Sequence, residues 1–380
     1  MCALLGIGAP VLNSCGLIAE SESKSTLKPG DSVIVIGAGA AGLSAAYLLQ
    51  QQGIHVQILE ASHTYGGRMK RTTDFTDFPI PTGAEWLHNK RNTLDKIVND
   101  PSVKITTVTK EYNYKVDQAL VDGKEENLKS LGFTIEQKFI NATWFDFFEA
   151  YIVPSIKSKI RYNEVVRSID YGTDQVVVET ATETYKAAKV IVTVPVKMLQ
   201  LNTITFKPPL PEKKTEAISN VKVWGGCKAF IAFSEKFYPT AVGFGAIPED
   251  QGHKMFYDAA YGQATEQPIL GIFAVGPAAQ PYLTRNDYVL IRYLLAELDE
   301  MFDGKASPAY QKHIFQNWSK EPFAQGAYVH YFEDWKNIRT LGKPVADKVY
   351  FAGDAYTDGS GWSSVDAAAE AARRAVAEMV

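Results

Sequence analysis

The chain has 380 residues, of which 46% are hydrophobic and 22% charged, so it can bury more than one hydrophobic core and divides into about two domains. This composition excludes a disordered chain, a coiled coil and a disulfide-rich scaffold. A formal net charge of -4, without a long Lys/Arg cluster, excludes an electrostatic footprint for nucleic acid. Three scattered cysteines are too few for a disulfide framework or a zinc site, and no metal is expected.

The N-terminal segment has features of an export signal. Residues 1–18 are uncharged and apolar, as in the hydrophobic region of a secretory signal, although no Lys or Arg precedes Lys24. Within this segment, Leu12-Asn13-Ser14-Cys15 looks like a bacterial lipobox, in which the cysteine is lipidated. The pattern favours an exported or membrane-anchored protein on the periplasmic side, with a lipid anchor at Cys15. A cytoplasmic protein with a frayed apolar terminus is the alternative.

A dinucleotide-binding fingerprint follows a polar linker that contains Ser, Glu and Lys, residues 19–29. Residues 31–36 (DSVIVI) are a short β-branched run typical of a strand buried on both faces. The glycine-rich motif 37–42 (GAGAAG) comes directly after it. This motif opens an Ala/Leu-rich helix over residues 43–52, which ends at Gly53. The strand, glycine-rich turn and helix together predict a Rossmann-like nucleotide site.

The residue types of this fingerprint have physical reasons. Gly37 permits a tight turn, Gly39 lets the backbone approach a pyrophosphate, and Gly42 lets helix and strand pack closely. The helix N-terminus supplies free N–H groups and a partial positive charge for the phosphates. A second strand over residues 55–59 ends at Glu60, where a carboxylate can bind both ribose hydroxyls. The same carboxylate would repel a 2′-phosphate, which disfavours NADP.

The next motifs indicate which dinucleotide is bound. Glu60-Ala61-Ser62 leads to Gly66-Gly67-Arg68, where glycines bring the backbone close to a ligand and an arginine can bind phosphate. With residues 83–88 (GAEWLH), these motifs resemble the flavin-containing amine oxidases, the superfamily of monoamine oxidase, polyamine oxidase and L-amino-acid oxidase. The resemblance implies an α/β fold, in which a Rossmann-like FAD-binding domain is joined to a smaller mixed α+β substrate domain, and FAD as the cofactor.

A second signature lies near the C-terminus. Residues 349–354 (VYFAGD) predict an apolar strand that ends in glycine and an acid. An Ala-rich helix is predicted from about Ser364, and Ser363 with Asp366 has the spacing of a capping box. In the family, the N-terminus of this helix points at the flavin, and a Gly-Asp or, more often, Gly-Glu pair contacts the pyrophosphate and ribityl chain.

The segments between these signatures are predicted to complete the two domains. Residues 91–160 are predicted to be mostly helical. Paired strands are expected over 162–169 and 176–179, and a buried strand over 189–195. A further strand is expected over 269–275, followed by a helix that begins with a Thr284 to Asp287 capping box. A signal-like segment and linker are assigned to residues 1–29. The FAD-binding domain is assigned to residues 30–90, 161–205 and 341–380, and the substrate domain to residues 91–160 and 206–340.

The resemblance transfers the cofactor-binding positions onto this sequence, including a backbone contact to adenine at Val166. The predicted positions are Gly37, Ala38, Gly39, Ala41, Gly42, Glu60, Ala61, Gly67, Arg68, Gly83, Ala84, Glu85, Trp86, Val166, Gly353, Asp354, Trp362, Ser364 and Val365.

The resemblance also implies an oxidase reaction. In the family, a hydride passes from the carbon that bears the amine to flavin N5, the imine hydrolyses, and dioxygen reoxidises the flavin with formation of hydrogen peroxide. Lys228, in the strand-like segment 221–234, matches the family lysine that holds a water near N5. A solvent-facing strand lysine is the alternative, and nearby Lys222 is the competing candidate.

Two aromatic residues match the walls of the family's aromatic cage, which aligns a neutral amine in front of the flavin. Tyr328 follows residues 317–327 (NWSKEPFAQGA), and Trp362 follows Ser360-Gly361. Ala327 occupies the position at which monoamine oxidases carry the cysteine that attaches to flavin. The resemblance therefore implies noncovalent FAD.

The substrate class has two alternatives, an amine and an amino acid. Amino-acid oxidases hold the substrate carboxylate with an arginine, and Arg91 is near that position without matching it. Glu85 could face a second ammonium of a polyamine, or contact the flavin through its backbone only. We expect a primary amine or polyamine and dioxygen as substrates. A flavin-binding protein with desaturase, isomerase or no oxidase activity is the competing class, and Lys228, Tyr328 and Trp362 favour the oxidase over it.

Overall fold

The structure of the protein is a computed structural model that describes residues 26–330, 335–359 and 361–380. The predicted signal segment and the Cys15 anchor lie outside these residues. Among the helices of the described ranges, none combines the length and the apolar character that a membrane crossing requires.

Strands and helices alternate at both ends of the described chain, and strands dominate its middle. The strands are β1 (Ser32–Ile36), β2 (His55–Leu59), β3 (Thr109–Glu111), β4 (Gln118–Val121), β5 (Lys124–Asn127), β6 (Gln137–Phe139), β7 (Ile160–Arg161), β8 (Val166–Asp170), β9 (Val176–Thr180), β10 (Thr184–Ala187), β11 (Lys189–Val192), β12 (Thr205–Lys207), β13 (Lys222–Trp224), β14 (Gly226–Phe233), β15 (Ala241–Gly243), β16 (His253–Asp258), β17 (Ile269–Val275), β18 (Tyr310–Asn317), β19 (Tyr328–His330) and β20 (Val349–Phe351). The α-helices are α1 (Ala40–Gln51), α2 (Asn92–Val98), α3 (Trp144–Tyr151), α4 (Val153–Ile156), α5 (Val196–Gln200), α6 (Glu212–Asn220), α7 (Gln280–Leu283), α8 (Asp287–Met301), α9 (Ala306–Ala309), α10 (Trp335–Gly342) and α11 (Val365–Ala377).

A parallel five-stranded sheet with the order β20-β11-β1-β2-β7 forms the centre of the cofactor side. Successive side chains of a strand point to opposite faces of its sheet. Val33 and Val35 of β1 accordingly pack in one core with α1 and α11, whereas Ile34 and Ile36 pack in a second core on the other face. Burial on both faces explains why this strand is apolar throughout.

The second face of this sheet is covered by a four-stranded sheet with the order β10-β9-β8-β12. The predicted pairing of two strands in this region is confirmed, because β8 and β9 are antiparallel neighbours. Ala217 and Ile218 of α6 belong to the same core. Helix α6 therefore lies with the cofactor sheet, although the predicted boundaries place it in the substrate domain; those boundaries stay a prediction.

A seven-stranded sheet with the order β18-β14-β17-β16-β15-β4-β5 forms the substrate side. Every residue of β14 is buried, because β17 and β18 pair with its two edges and hydrophobic cores cover both of its faces. Helix α8 packs against one face through Leu290, Leu294 and Leu298. Lys228 is thus a lysine on a central, fully buried strand, which is rare unless the charge has a partner.

The prediction that residues 91–160 are mostly helical is wrong. The structure contains strands β3 to β6 there in addition to helices α2, α3 and α4. Strand β4 pairs with β15, which lies far away in the sequence. Strand β6 pairs with β3. These strands form because tertiary pairing overrides the weak local preference of a mixed polar segment.

The N-caps of α11 and α8 lie one and two residues beyond the residues predicted to begin their capping boxes. The N-cap of α11 is Ser364, whose hydroxyl accepts from the backbone N–H of Ala367, while Ser363 has a positive φ of 55°. The N-cap of α8 is Asn286, because the Thr284 hydroxyl instead donates to a carbonyl of the preceding helix. Local side-chain competition for backbone groups decides such helix starts.

Candidate active site

One cavity of about 2080 Å³ joins the cofactor side of the molecule to the substrate side. The carboxyl ends of β1, β2 and β11 open onto it through Gly37, Glu60 and Thr193. Open α/β sheets bind ligands at this end of their strands. Lys228 and Tyr328 line the same cavity from the substrate side.

The glycine-rich turn has the geometry of a nucleotide cradle. Gly37 has a φ of +103°, which other residues rarely adopt, and a Cβ on Gly42 would lie 1.9 Å from the Gly37 carbonyl oxygen. At Gly39 the situation is the opposite, because a Cβ there would meet no protein atom within 4 Å. Helix α1 begins at the next residue and has no acidic residue in its first turn. The open face at Gly39 and the helix N-terminus fit the pyrophosphate of a dinucleotide.

The Glu60 carboxylate is held at the end of β2 by backbone groups. One oxygen accepts from Ala38 N–H at 2.6 Å and the other from Ser62 N–H at 2.8 Å. Glu60 lines the cavity although only 8% of its surface is exposed. A carboxylate fixed in this way can take ribose hydroxyls as further hydrogen-bond donors.

Three distant motifs meet at the Arg68 guanidinium. Its Nη2 lies 2.5 Å from Asp354 Oδ1, and its Nη1 donates to Asp354 Oδ2 at 3.1 Å. The same Nη1 donates to the carbonyl oxygen of Ala327 at 2.5 Å. This bidentate arrangement of the Arg68 guanidinium and the Asp354 carboxylate is geometrically specific. It fixes the Gly66-Gly67-Arg68 turn against the C-terminal signature at the cavity wall.

The substrate side of the cavity carries a buried ion pair between Glu85 and Lys228. The Lys228 ammonium donates to Glu85 Oε2 at 2.6 Å and to the Pro81 carbonyl oxygen at 3.4 Å. Its nitrogen lies 4.9 Å from the centre of the Trp86 ring. The structure thus joins the predicted catalytic lysine to a residue that was predicted for flavin contact.

Two further residues complete this cluster, and sequence reasoning missed both. Lys138 of β6 places its ammonium 3.1 Å from Glu85 Oε1 and donates to the Ala259 carbonyl oxygen. Tyr257 of β16 donates to Glu85 Oε2 at 2.5 Å. No local motif marks either position, since Lys138 simply follows two polar residues and precedes Phe139 and Ile140.

Burial and pairing oppose each other in this cluster. Burial raises the pKa of the Glu85 carboxyl, but Lys228 and Lys138 outweigh burial, so its pKa is below the ordinary value. Burial lowers the pKa of Lys228, and the attraction of Glu85 only partly restores it. Burial together with the Glu85 charge raises the pKa of the Tyr257 hydroxyl. Glu85 is therefore an anion, and Tyr257 a hydrogen-bond donor.

An aromatic wall faces the cavity beside this cluster. Tyr328 of β19 is the register partner of Trp224 on β13, with ring centres 6.2 Å apart. The Trp224 ring stacks on His330 at 4.2 Å. Trp362 also lines the cavity, but 49% of its surface is exposed. The structure thus brings Tyr328 together with Trp224, a residue that sequence reasoning did not select.

The remaining predicted positions are distributed as follows. Ala38 and Gly42 belong to the glycine-rich motif but do not line the cavity. The other predicted cofactor positions line it. Arg91 donates to the carbonyl oxygens of Ile105 and Thr107. Its guanidinium is thereby engaged by the protein backbone. The individual roles of all these residues stay predictions.

Comparisons with known proteins agree with this geometry. The family model described as flavin containing amine oxidoreductase matches residues 148–380, and the one described as NAD(P)-binding Rossmann-like domain matches residues 35–100. The chain is 26% identical to lysine-specific histone demethylase 2 of Homo sapiens, over 85% of this chain and 50% of that protein. It is 25% identical to probable polyamine oxidase 4 of Arabidopsis thaliana, over 90% of this chain and 85% of that protein. The chain thus spans about half the length of the histone demethylases that it matches.

Solved structures share the fold at low sequence identity. Putrescine oxidase bound to putrescine matches with a TM-score of 0.75 and 15% identity, over 93% of this chain and 99% of that chain. Cyclohexylamine oxidase from Brevibacterium oxydans matches with a TM-score of 0.74 and 16% identity, over 92% and 99% of the two chains. The predicted α/β fold with a Rossmann-like domain is confirmed.

Proposed function

Since the chain belongs to the flavin-containing amine oxidoreductase family, whose cofactor is FAD, we propose that it is an oxidase acting on a primary amine or polyamine. The predicted family and cofactor are confirmed by this membership. The single observation that carries the proposed activity is the shared cavity, which extends from Glu60 and Arg68 on the cofactor side to Lys228 and Tyr328 on the substrate side.

The residues of the cofactor side suit FAD. Gly39 and the N-terminus of α1 would receive the pyrophosphate, and Glu60 the adenosine ribose. The N-terminus of α11, capped by Ser364, also lines the cavity and adds partial positive charge. When bound, FAD supplies the hydride acceptor that no side chain provides. At position 327 an alanine offers no thiol for a bond to flavin, so we propose that FAD is held noncovalently.

The charges along the cavity favour an amine over an amino acid. Of the described arginines, those lining the cavity are Arg68 and Arg167, and both belong to cofactor-side elements. Arg91 binds backbone carbonyls instead. A substrate carboxylate would therefore find no arginine on the substrate side. Glu85 is occupied by two lysines, so a second substrate ammonium would have to use another carboxylate of the cavity, such as Glu136.

The protein's own groups would orient and desolvate the amine. Tyr328 and Trp224 offer aromatic faces that bind the apolar carbon chain and attract an ammonium group. Lys228 belongs to the buried strand β14 and lines the same cavity. The imine product would hydrolyse to an aldehyde, and dioxygen would be reduced to hydrogen peroxide.

The proposed function is tested by anaerobic reduction of the purified, FAD-loaded protein. We expect putrescine, spermidine or cyclohexylamine to bleach the oxidised flavin band, whereas L-amino acids leave it unchanged. Reduction by L-amino acids alone would favour an amino-acid oxidase. If FAD is bound and nothing in either panel bleaches the band, the protein is not an amine oxidase, and a desaturase, isomerase or binding role remains.

A further inference from the structure

The buried cluster of Glu85, Lys138 and Lys228 holds two ammonium groups against one carboxylate. The side chains of Glu85, Lys138 and Lys228 are 1%, 3% and 5% exposed, and each carboxylate oxygen faces one lysine. Lys228 and Glu85 line the cavity, whereas Lys138 lies behind them. An unpaired charge in a buried site is energetically unfavourable, so the protonation state of the two lysines determines the net charge that this cluster must accommodate.

The surroundings of Lys228 decide which lysine can change its charge. The titratable and charged groups that face it are Glu85, Lys138 of β6 and Tyr257 of β16. On the neighbouring strands β17 and β18, its register partners Phe273 and Gln316 are uncharged.

Lys138 donates to the Ala259 carbonyl oxygen and does not line the cavity, whereas Lys228 lines it. The repulsion of Lys138 adds to burial in lowering the pKa of Lys228. Lys228 is therefore the lysine that can exchange a proton with a ligand.

We propose that Lys138 is a positioning residue of the active site, acting through Glu85. Its ammonium holds Glu85 Oε1, so that Glu85 Oε2 is kept in place to orient the Lys228 ammonium. It also remains as the counter-ion of Glu85 when Lys228 is neutral. This inference rests on the proposed function and extends it.

In the exchange itself, an N–H bond of an entering substrate ammonium breaks and an N–H bond forms at Lys228 Nζ. The neutral amine and a charged Lys228 result, and no electrons are transferred. The cluster then carries one positive charge in excess until the proton leaves for solvent.

The test measures the proton affinity of Lys228 directly. Cyanate carbamylates neutral amines, so mass spectrometry of Lys228 modification between pH 6 and pH 10 in the FAD-loaded protein reports its titration. In Lys138→Gln, which keeps an N–H donor but no charge, we expect the rate at pH 8 to fall about tenfold, the equivalent of one pKa unit. Lys138→Arg should restore the wild-type profile.

A matched control is Lys189→Gln, because Lys189 is another buried lysine, 3.0 Å from Asp347, on the cofactor side. We expect this control to leave the Lys228 profile unchanged. A Lys228 profile that is the same in Lys138→Gln as in the wild type would overturn the inference. Equal shifts in Lys138→Gln and Lys189→Gln would overturn it as well, since they would indicate a general loss of packing.

If Lys138→Gln does not fold, Lys138→Met replaces it in the same measurement, and an unchanged Lys228 profile would overturn the inference. In the wild type, Lys228 must also titrate at lower pH than the exposed Lys104 in the same sample, and equal midpoints would overturn the inference. Failure of the proposed function looks different. A wild type that no amine reduces, with a Lys228 profile that depends on Lys138, contradicts the oxidase but supports the charge role. In an active enzyme, Lys138→Gln should also shift the acid limb of the anaerobic reduction rate to higher pH.

Discussion

The two ends of the cavity hold their carboxylates in different ways. On the cofactor side, Glu60 is fixed by the backbone N–H groups of its own motif neighbourhood, Ala38 and Ser62. On the substrate side, Glu85 is fixed by the side chains of Lys138 and Lys228, which come from separate strands. The carboxylate on the cofactor side is thus held by backbone groups, and the one on the substrate side by charges that only the folded sheets bring together.

This difference has an energetic consequence. A backbone cradle keeps its shape when a group that faces the ligand is changed, as at Gly39, so such a substitution mainly affects ligand binding, whereas a Cβ at the packed position Gly42 affects folding. A buried cluster of charges loses its balance when one member is removed, so substitutions there also affect folding. The predictions below test this contrast.

The largest effect is expected at Gly42. A Cβ at this position would lie 1.9 Å from a backbone oxygen, so Gly42→Ala should destabilise the FAD-free protein by about 4 kcal/mol or more and abolish FAD binding. Gly39→Ala is the control, because its Cβ would meet no protein atom within 4 Å. We expect Gly39→Ala to keep the unfolding free energy and weaken FAD binding at least tenfold. Urea unfolding and FAD titration measure both, and equal destabilisation by the two changes would contradict the cradle.

Glu85→Gln should have the next largest effect. It leaves two buried ammonium groups without their counter-ion, and we expect a loss of about 3 kcal/mol in the free energy of unfolding. Lys228→Gln should cost less, since Glu85 retains Lys138 and Tyr257 as partners. Urea unfolding of the FAD-free variants at pH 7 gives this order. A greater loss from Lys228→Gln than from Glu85→Gln would show that the carboxylate is not the centre of the cluster.

A moderate effect is expected from the aromatic wall. Trp224→Leu removes the ring that contacts both Tyr328 and His330, so KM for the best amine should rise about tenfold, equivalent to about 1.4 kcal/mol of binding. Trp362→Leu should change KM about twofold, because Trp362 is 49% exposed. Steady-state kinetics at matched FAD content separate the two variants. A larger rise for Trp362→Leu would instead support the cage predicted from the sequence.

A pH-dependent effect is expected at Lys214, a buried lysine on the cofactor side that donates to the carbonyl oxygens of Leu341 and Lys343. Burial, with a contribution from Lys343, lowers its pKa to about 7. Between pH 7 and about 10 the unfolded chain binds more protons at this group than the folded chain, so stability rises with pH across that window. We expect the stability of the wild type relative to Lys214→Met to increase from pH 7 to pH 9. A difference that is constant or falls would show that the carbonyl oxygens hold the proton.

Much of the cofactor side followed from the sequence because its signals are local. The strand predicted over residues 55–59 is β2, and Gly37, Gly39 and Gly42 occupy the conformations that their motif requires. A glycine-rich turn between a buried strand and a helix dictates its own geometry within a few residues. The buried strand over residues 269–275 was equally clear, since it is apolar throughout and turn residues flank it.

The sequence by itself determined the family, the Rossmann-like fold and the FAD cofactor, and it located the motifs of Gly37, Glu60 and Arg68 that line the cofactor side of the cavity. The tertiary structure alone decided that Lys138 and Tyr257 surround Glu85, and that Trp224 packs beside Tyr328. The physical reason is distance along the chain. A charged or aromatic side chain meets its partner when separate strands pair. Neither the hydrophobic periodicity nor the amino-acid composition of a segment indicates which strands will pair.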